Sequence, residues 1–345
     1  MSPAHADPAL DTLLMVPDSG AVAWPPPGGA LFLRARTGPA LNAARVHRPV
    51  CEQGFKPFAD ALARDGFEVS GENLGRFPLV MLLAPRQREE ARALLARAVA
   101  QCEAGGVVLA CAANKEGART MQDDLAKLAG PVQVLTKNHC RAAWTAPLGE
   151  AVDRELLAQW LALDAPRPIL DGRFESRPGL FAWDRIDAAS ALLAAHLPTD
   201  LAGRGADLGA GWGYLASEVL ARCPGVAGLD LFEAEARALE LARRNLAGAH
   251  VPVAFHWHDV VAGVPGTFDF IVTNPPFHQG RADLPELGQA FIATAAAALR
   301  PGGRLLLVAN RHLPYEQALA RGFGQVRKLA DEAGFKVVEA RKVAA

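Results

Sequence analysis

One pattern of residues occurs twice in this chain, and it constrains the fold more than any other feature. In each half an apolar run ends at prolines, a helical stretch follows, and a Gly-Gly pair opens a second apolar run. The first copy reads Phe77-Pro78-Leu79-Val80-Met81-Leu82-Leu83-Ala84-Pro85-Arg86 and then Gly105-Gly106-Val107-Val108-Leu109. The second copy reads Phe268-Asp269-Phe270-Ile271-Val272-Thr273-Asn274-Pro275-Pro276-Phe277 and then Gly302-Gly303-Arg304-Leu305-Leu306. Two copies of one strand-helix-strand unit explain the recurrence economically, with a coincidence of two ordinary units as the alternative.

The duplication predicts two α/β domains with mainly parallel sheets. A chain of 345 residues, half of them apolar, is long enough to bury two cores. We expect the first domain over residues 1–150, a linker over residues 151–179 and the second domain over residues 180–345. The linker is expected because residues 164–179 are rich in Pro, Gly and Arg and show little apolar periodicity.

The first apolar run of the second copy ends at the motif Asn274-Pro275-Pro276-Phe277. A pair of prolines cannot donate backbone hydrogen bonds, so the strand stops and Asn274 lies at its carboxyl end, where open α/β sheets bind ligands. An amide, carbonyls without donors and an aromatic ring suit a flat group that carries an exocyclic NH2. A rigid loop after a buried strand is the alternative interpretation.

The first copy lacks these features. It has Leu83 where the second copy has Asn274, and Arg86 where the second has Phe277. No G-x-G loop follows its first predicted strand, Ala30–Leu33. We therefore interpret the amino-terminal domain as a degenerate copy with a structural or substrate-holding role.

A second motif, Asp207-Leu208-Gly209-Ala210-Gly211-Trp212-Gly213, predicts a strand end, a glycine-rich turn and the start of a helix over Tyr214–Arg222. Glycines let the backbone approach a ligand, and exposed amides at a helix start favour an electron-rich group. Dinucleotide-binding proteins use similar turns. Here, however, Asp207 precedes the glycines, where it can pair with an ammonium group, and the spacing lacks the later glycine of G-x-G-x-x-G. A cofactor with an amino-acid end fits better than a pyrophosphate.

Acidic or amide side chains also follow the next strand ends. Glu233 lies at a strand end about 20 residues past the glycines, where a carboxylate can accept both hydroxyls of a ribose. Asp230 competes for this role but lies inside the strand on the other face, so Glu233 is preferred. Asp259 follows the strand Val253–Trp257 and can accept from an adenine amine, with a helix cap or turn as the alternative. Four successive strand ends thus offer Asp207, Glu233, Asp259 and Asn274.

Charge and cysteine content limit the classes of partner. The formal net charge is −1, and residues 1–150 carry 16 basic and 15 acidic side chains, so there is no global basic field. The best candidate for phosphate contacts lies between Ser19 and Cys51, a stretch without acidic residues; the alternative is a solvated loop whose arginines pair with acids elsewhere. Its cations are Arg34, Arg36, Arg45, His47 and Arg48.

Five cysteines without metal-binding spacing indicate a reducing cytosol, and we expect neither a metal site nor a membrane span.

Together these motifs resemble those of class I S-adenosylmethionine-dependent methyltransferases. The Asn-Pro-Pro-Phe-His-x-Gly form at 274–280, the later segment 308–315 and the degenerate leading copy are similar to bacterial ribosomal RNA guanine-N2 methyltransferases, most closely the small-subunit 16S enzymes. The resemblance implies two tandem Rossmann-like methyltransferase-type domains, the amino-terminal one degenerate, and S-adenosylmethionine as the cofactor. The implied cofactor-binding residues are Asp207, Gly209, Gly211, Gly213, Glu233, Asp259 and Asn274.

By this resemblance the methyl group goes to the exocyclic N2 amine of a guanine in ribosomal RNA. The implied catalytic residues are Asn274, Pro275, Pro276 and Phe277, and the implied RNA contacts are Phe277, His278, Arg34, Arg36, Arg45 and Arg48. His278 either takes a proton or is a surface residue of a mobile lid over residues 278–287. We expect a cytoplasmic monomer, with its first domain holding RNA, that acts on ribosomal RNA or the small ribosomal subunit.

Other functions remain open at this point. The Asn-Pro-Pro-aromatic motif also serves methyltransferases of large-subunit ribosomal RNA guanine, DNA adenine and protein glutamine, although the degenerate copy and His278 favour ribosomal RNA. A non-catalytic RNA-binding or ribosome-assembly protein with a vestigial pocket is the alternative from another class. The intact acidic set of the second half argues against that alternative.

Overall fold

The chain forms two compact units. The computed structural model describes residues 7–71, 75–276, 278–279, 282–283 and 285–343. The first unit extends to Ala165 and includes Arg177–Gly179, and the second consists of Pro166–Ser176 and the chain from Leu180 onward. Residues 151–179, expected to be a linker, are therefore divided between the two units.

The first unit alternates strands and helices. Its elements are α1 (Pro8–Asp18), β1 (Ala30–Leu33), α2 (Pro39–Ala43), β2 (Val50–Glu52), α3 (Lys56–Arg64), β3 (Val69–Ser70), β4 (Phe77–Leu83), α4 (Arg88–Gln101), β5 (Cys102–Ala113), α5 (Ala118–Ala129), β6 (Val132–Lys137), β7 (Cys140–Thr145) and α6 (Arg154–Leu161). Short 3-10 helices lie at Ala44–His47, Asn114–Glu116 and Ala162–Asp164. Part of the expected linker is thus a helix, α6, that belongs to this unit.

The second unit repeats this order after a short hairpin. Its elements are β8 (Arg167–Ile169), β9 (Phe174–Ser176), α7 (Ala188–Ala195), β10 (Ala202–Leu208), α8 (Tyr214–Arg222), β11 (Gly225–Glu233), α9 (Ala236–Asn245), β12 (Val253–Trp257), β13 (Phe268–Thr273), β14 (His278–Gln279), β15 (Ala282–Asp283), α10 (Pro285–Ala298), β16 (Leu299–Asn310), α11 (Glu316–Gly322), β17 (Gln325–Glu332) and β18 (Phe335–Arg341). A 3-10 helix at Val260–Ala262 follows β12.

Each unit has a seven-stranded sheet, and the two sheets have the same topology. Their strand orders are β3-β2-β1-β4-β5-β7-β6 and β12-β11-β10-β13-β16-β18-β17. The first five strands of each order are parallel, and the last two join by antiparallel pairing. Buried apolar clusters cover both faces of each sheet, as parallel sheets require. The predicted fold class is confirmed.

The recurring Gly-Gly pair has the same structural role in both units. Gly105 in β5 and Gly302 in β16 have φ angles of 79° and 78°, a left-handed conformation that favours glycine. The glycine that follows packs against the neighbouring strand, because a Cβ on Gly106 would lie 2.6 Å from the Pro78 carbonyl oxygen. Both β5 and β16 bend there and then continue as buried strands.

Backbone pairing shows which residues occupy equivalent places in the two sheets. Leu33 pairs with Glu52 and Leu82, and Leu208 pairs with Phe232 and Thr273. The residues that follow are therefore equivalent as well, so Gln53 lies where the second unit has Glu233, and Leu83 lies where it has Asn274. Among the helices of the described residues, none is long and apolar enough to cross a membrane.

Candidate active site

The predicted site residues of the second unit converge on one edge of its sheet. β12, β11, β10 and β13 are adjacent and parallel, so their carboxyl ends lie side by side over about 15 Å. Glu233 is the last residue of β11, Gly209 follows β10, and Asn274 follows β13. Asp259 lies two residues after β12 and completes the row.

The glycine turn after β10 has the backbone geometry that its sequence predicts. Gly209, Gly211 and Gly213 have φ angles of 75°, 56° and 93°, all in the left-handed region. The amides of Gly209 and Ala210 both donate to the Phe232 carbonyl at 2.8 and 3.2 Å, which ties the turn to β11. A Cβ added to Gly211 would meet nothing within 4 Å, so the turn borders open space at its middle glycine.

Asp207 lies beneath this turn rather than exposed at it. Its side chain is fully buried, and no group of the described chain hydrogen-bonds to either carboxylate oxygen in good geometry. Burial raises the pKa of Asp207 to about 8, and the nearby Glu233 carboxylate adds to the rise. A positive charge beside this side chain would oppose that rise and favour the ionised carboxylate. The sequence had suggested direct contact with an ammonium group, but the structure encloses this side chain.

Glu233 is oriented by the backbone on both sides. Its Oε2 accepts from the Gly211 amide at 2.7 Å, and its Oε1 accepts from the Glu235 amide at 2.8 Å. Each carboxylate oxygen can accept a further hydrogen bond, so the pair remains able to receive two neighbouring hydroxyls. Burial raises the pKa of Glu233, and the bonds from the Glu235 and Gly211 amides oppose that rise.

Asp230, the competing candidate, is engaged elsewhere. It is buried within β11, where Arg204 donates to it from Nε and Nη2, each at 2.8 Å, and His256 Nε2 lies 2.8 Å from its Oδ1. Although burial alone would raise it, these hydrogen bonds hold the pKa of Asp230 below its ordinary value. This ion-pair network leaves Glu233 as the carboxylate that faces the edge of the sheet.

Asp259 caps the short helix that follows β12. Its Oδ1 accepts from the Val261 amide at 3.0 Å, and the side chain is half-buried. Asp259 is therefore a helix cap, which is the alternative role that its sequence position indicated. A cap uses one lone pair of one oxygen, so the carboxylate keeps acceptor capacity toward a ligand amine.

Asn274 is held by two side chains from the start of α7. Its Nδ2 donates to Asp187 Oδ2 and to Ser190 Oγ, each at 2.9 Å. The strand that carries it is fixed to β10 because Thr273 Oγ1 donates to the Leu208 carbonyl at 2.7 Å. Pro275 is buried and Pro276 is exposed. The amide thus has a defined orientation, with Oδ1 as its acceptor end.

Part of the predicted loop lies outside the described residues. This holds for Phe277, for the side chain of His278, and for residues 280, 281 and 284 of the predicted lid, 278–287. The backbone of His278–Gln279 pairs with Ala282–Asp283 as a two-residue antiparallel ladder.

The four predicted arginine contacts do not share one surface. Arg34 and Arg36 follow the carboxyl end of β1, whereas Arg45 and Arg48 precede the amino end of β2, which is parallel to β1. Arg34 and Arg36 therefore lie where the parallel strands of the first sheet end, and Arg45 and Arg48 lie where they begin. Arg36 pairs with Asp7 at 3.0 Å, and Arg45 donates to Asn42 Oδ1 at 3.1 Å. The arginines of the stretch without acidic residues therefore do not form one surface.

Asp187 and Ser190 were not predicted as site residues. The sequence indicates a helix start there, and Asp187 does accept from the Ser190 amide at 2.9 Å as an N-cap. Their contact with Asn274 joins residues 87 and 84 positions apart, which no local pattern reveals. Over the described stretches, no group of three or more His, Cys, Asp or Glu side chains has a metal-binding arrangement.

Comparisons with known proteins agree on one family. Residues 171–339 match the methyltransferase small domain family. The ribosomal RNA small subunit methyltransferase C of Pseudomonas aeruginosa strain LESB58 is 32% identical over 273 residues, 78% of this chain and 80% of that protein. The protein of the same name from Shewanella loihica is 30% identical over 270 residues, 77% of this chain and 78% of that protein.

A solved structure extends the similarity to the whole fold. The T. thermophilus 16S rRNA N2 methyltransferase RsmC, solved in complex with AdoMet and guanosine, superposes with a TM-score of 0.81 at 25% identity. The match covers 98% of this chain and 93% of that one. Both units of this protein are therefore present in that structure in the same order.

The duplicated α/β fold, with Asp207, Glu233, Asp259 and Asn274 at the strand ends of its second sheet, defines a two-domain methyltransferase in which one domain is degenerate. More specifically, the chain belongs to the family of ribosomal RNA small subunit methyltransferase C. The family resemblance predicted from the motifs is confirmed.

Proposed function

We propose that this protein transfers a methyl group from S-adenosylmethionine to the exocyclic N2 amine of a guanine in the ribosomal RNA of the small subunit. The Asn274 side chain is the observation that carries this proposal. Both N–H groups of its amide are bound by Asp187 and Ser190, so its oxygen is presented as an acceptor beside the glycine turn. An acceptor in this position is what an amine donor requires.

The residues around the turn fit this cofactor, which supplies an electrophilic methyl group on a positively charged sulfur. Glu233 would accept from the two ribose hydroxyls with the lone pairs that its backbone bonds leave available. Asp259 would accept from the adenine amine. Gly209, Gly211 and Gly213 let the backbone approach the ligand, and the enclosed carboxylate of Asp207 favours a positive charge nearby.

The chemistry depends on how the amine is held. The lone pair of an aryl amine is delocalised into the ring, so the nitrogen is a poor nucleophile. Asn274 Oδ1 and the Pro275 carbonyl would accept its two protons, favour a pyramidal nitrogen and hold it at an attack distance of ~3–3.5 Å. The nitrogen forms the new N–C bond as the S–C bond breaks, and it then releases one proton to solvent. No strong base is needed, because the methylated nitrogen is acidic.

The remaining assignments belong to the same proposal. Phe277 stacks on the guanine, and His278 contacts the RNA. The first unit, which has Phe32 and Leu83 where the second has Asp207 and Asn274, holds RNA. The contacts come from Arg34 and Arg36 at the carboxyl ends of its strands or from Arg45 and Arg48 at the amino ends. The protein works in the cytoplasm as a monomer and takes ribosomal RNA or the assembled small subunit as substrate.

Mass-spectrometric mapping of modified nucleosides tests the proposal directly. Ribosomal RNA from cells that lack this gene should have lost N2-methylguanosine at one position of the small-subunit RNA. The purified protein and S-adenosylmethionine should restore the mark on that RNA, either free or in assembled subunits. The Asn274→Ala variant is the matched control and should restore it only slowly.

Other outcomes would identify the competing functions. A mark lost from large-subunit RNA, from DNA adenine or from a protein glutamine would replace the proposed substrate. Unchanged modification of all three, together with no methyl transfer by the purified protein, would contradict the enzyme assignment and favour a role in RNA binding or ribosome assembly.

A further inference from the structure

We propose that Asp187 and Ser190 are positioning residues that hold the side-chain amide of Asn274 in one orientation, with its oxygen toward the amine to be methylated. This inference rests on the proposed function, because the orientation matters only if Asn274 Oδ1 accepts from the substrate. It assigns a role in the reaction to two residues whose local sequence indicates only a helix start.

The contacts form a closed cluster of three side chains. The amide nitrogen of Asn274 carries two hydrogens, and it lies 2.9 Å from both Asp187 Oδ2 and Ser190 Oγ. Both hydrogens are therefore used. The same Asp187 oxygen accepts from the Ser190 backbone amide at 2.9 Å, which fixes the carboxylate to the first turn of α7. Ser190 is 9% exposed, so little water competes for these bonds.

The chemistry of the acceptors selects the orientation of the amide. If the Asn274 amide were rotated by 180°, its oxygen would face the Asp187 carboxylate, and two acceptors would repel each other. An ionised carboxylate cannot donate, so it permits only the N–H end. A hydroxyl can donate or accept, so Ser190 alone would not discriminate. Asp187 therefore selects the orientation, and Ser190 binds the second hydrogen.

The first unit provides an internal comparison. Asp7 begins α1 as Asp187 begins α7, and it accepts from the amide three residues later, that of Leu10, at 3.1 Å. At the equivalents of Ser190 and Asn274, however, the first unit has Leu10 and Leu83. The aspartate cap thus persists without the hydroxyl and the amide. Capping α7 does not explain the Ser190 hydroxyl, which accepts from the Asn274 amide of the proposed site at 2.9 Å.

The cluster also prepares Asn274 for its role. A carboxylate that accepts an amide N–H polarises the amide and increases the electron density on its oxygen. Oδ1 then becomes a stronger acceptor for the amine protons. Because the amide is fixed before the substrate binds, little reorganisation is needed during the reaction.

Ser190→Ala is the cleanest test, because it removes the hydroxyl and leaves the backbone cap bond intact. In single-turnover assays with saturating cofactor and small-subunit RNA, we expect methyl transfer about 3–10-fold slower, the loss typical of one hydrogen bond. Ser190→Thr keeps the hydroxyl and should recover most of the rate. The cofactor Kd, the KM for RNA and the melting temperature should match the wild type.

Asp187→Ala should slow transfer more, by about 10–100-fold, since it removes the group that selects the orientation. This change also removes a helix cap, so a capping control is needed. Asp153 caps α6 of the first unit through the Leu156 amide at 2.9 Å. Asp153→Ala should therefore leave the transfer rate unchanged.

A double-mutant cycle separates positioning from a structural role. In an Asn274→Ala background, Ser190→Ala and Asp187→Ala should cause no further slowing, because the amide they hold is already gone. Equal slowing in both backgrounds, or variants as fast as the wild type, would overturn the positioning role while the proposed function stands. A wild-type protein that methylates no RNA would overturn both.

Discussion

The two sheets of this protein differ most at the carboxyl ends of their parallel strands. Phe32 in β1 and Asp207 in β10 occupy the same place, and both are fully buried. Leu83 likewise occupies the place of Asn274. In the first unit these positions belong to the apolar core, whereas in the second they hold a fully buried aspartic acid side chain and a hydrogen-bonded amide.

Gln53 and Glu233 show the contrast in more detail. Each accepts from the backbone amide two residues later, that of Phe55 at 2.8 Å and that of Glu235 at 2.8 Å. The Gln53 amide also donates to the Ala35 carbonyl at 2.7 Å, so both its nitrogen and its oxygen are engaged within the chain. A carboxylate has no hydrogen to donate, so Glu233 retains acceptor capacity for a ligand.

The lesson is that this fold does not require the site residues. β5 and β16 have the same length and the same alternation of buried and exposed positions along all 12 residues, yet the first unit has Phe32 and Leu83 where the second has Asp207 and Asn274. Burying the ionisable side chain of Asp207 costs stability, and the matching first sheet forms without it. Their presence is therefore best explained by function.

The largest expected effect distinguishes Asn274 from Leu83. Asn274→Ala should slow methyl transfer about 10²–10³-fold, as when a preorganised polar group is removed from a reacting centre, with cofactor affinity nearly unchanged. Leu83→Ala should instead destabilise the first unit by about 2–5 kcal/mol and leave the rate of the folded protein intact. Single-turnover kinetics and chemical unfolding measure the two effects. Equal loss of rate in both variants would remove the distinction.

A smaller effect should separate Glu233 from Gln53. Glu233→Ala should weaken cofactor binding by about 1–3 kcal/mol, the range for losing hydrogen bonds to a charged group. Gln53→Ala should leave the cofactor Kd unchanged and lower only stability, because its bonds run to Ala35 and Phe55. Isothermal calorimetry at a single pH measures both values. Weaker binding in Gln53→Ala would show that the first unit contributes to the cofactor site.

The third comparison depends on pH and concerns Asp207. Since its pKa in the folded protein is about 8, above the ordinary 3.8, the folded state holds a proton that the unfolded chain has released between those values. Stability should therefore fall as pH rises from about 4 to 8, by at most about 1.4 kcal/mol per pH unit. Asp207→Asn should flatten this dependence in chemical unfolding across the same range. An identical pH profile in both proteins would contradict the raised pKa.

Local residue patterns predicted the parallel core well. The boundaries of Ala30–Leu33, Phe77–Leu83, Tyr214–Arg222 and Val253–Trp257 agree with the structure, because apolar runs are interrupted there by glycine, proline or charge. The strands that contain Gly105 and Gly302 begin at Cys102 and Leu299, before each Gly-Gly pair, since the glycines bend the strand without ending it.

What the sequence did not reveal depends on tertiary contacts. The bond between Asp187 and Asn274 spans 87 residues, and the enclosure of Asp207 follows from packing of the turn above it. The four arginines are neighbours in sequence but lie at opposite sheet edges because the chain crosses back between parallel β1 and β2. The hairpin of β8 and β9 lies within the predicted linker, because strands of only three residues leave little apolar periodicity in the sequence.

The central claim is that only the second unit binds the cofactor, and calorimetric titration of the full-length protein with S-adenosylmethionine tests it most directly. The strand-end comparison predicts one molecule bound per chain, weakened by Glu233→Ala and unaffected by Gln53→Ala. Two molecules bound per chain, or one whose affinity depends on Gln53 rather than on Glu233, would contradict it.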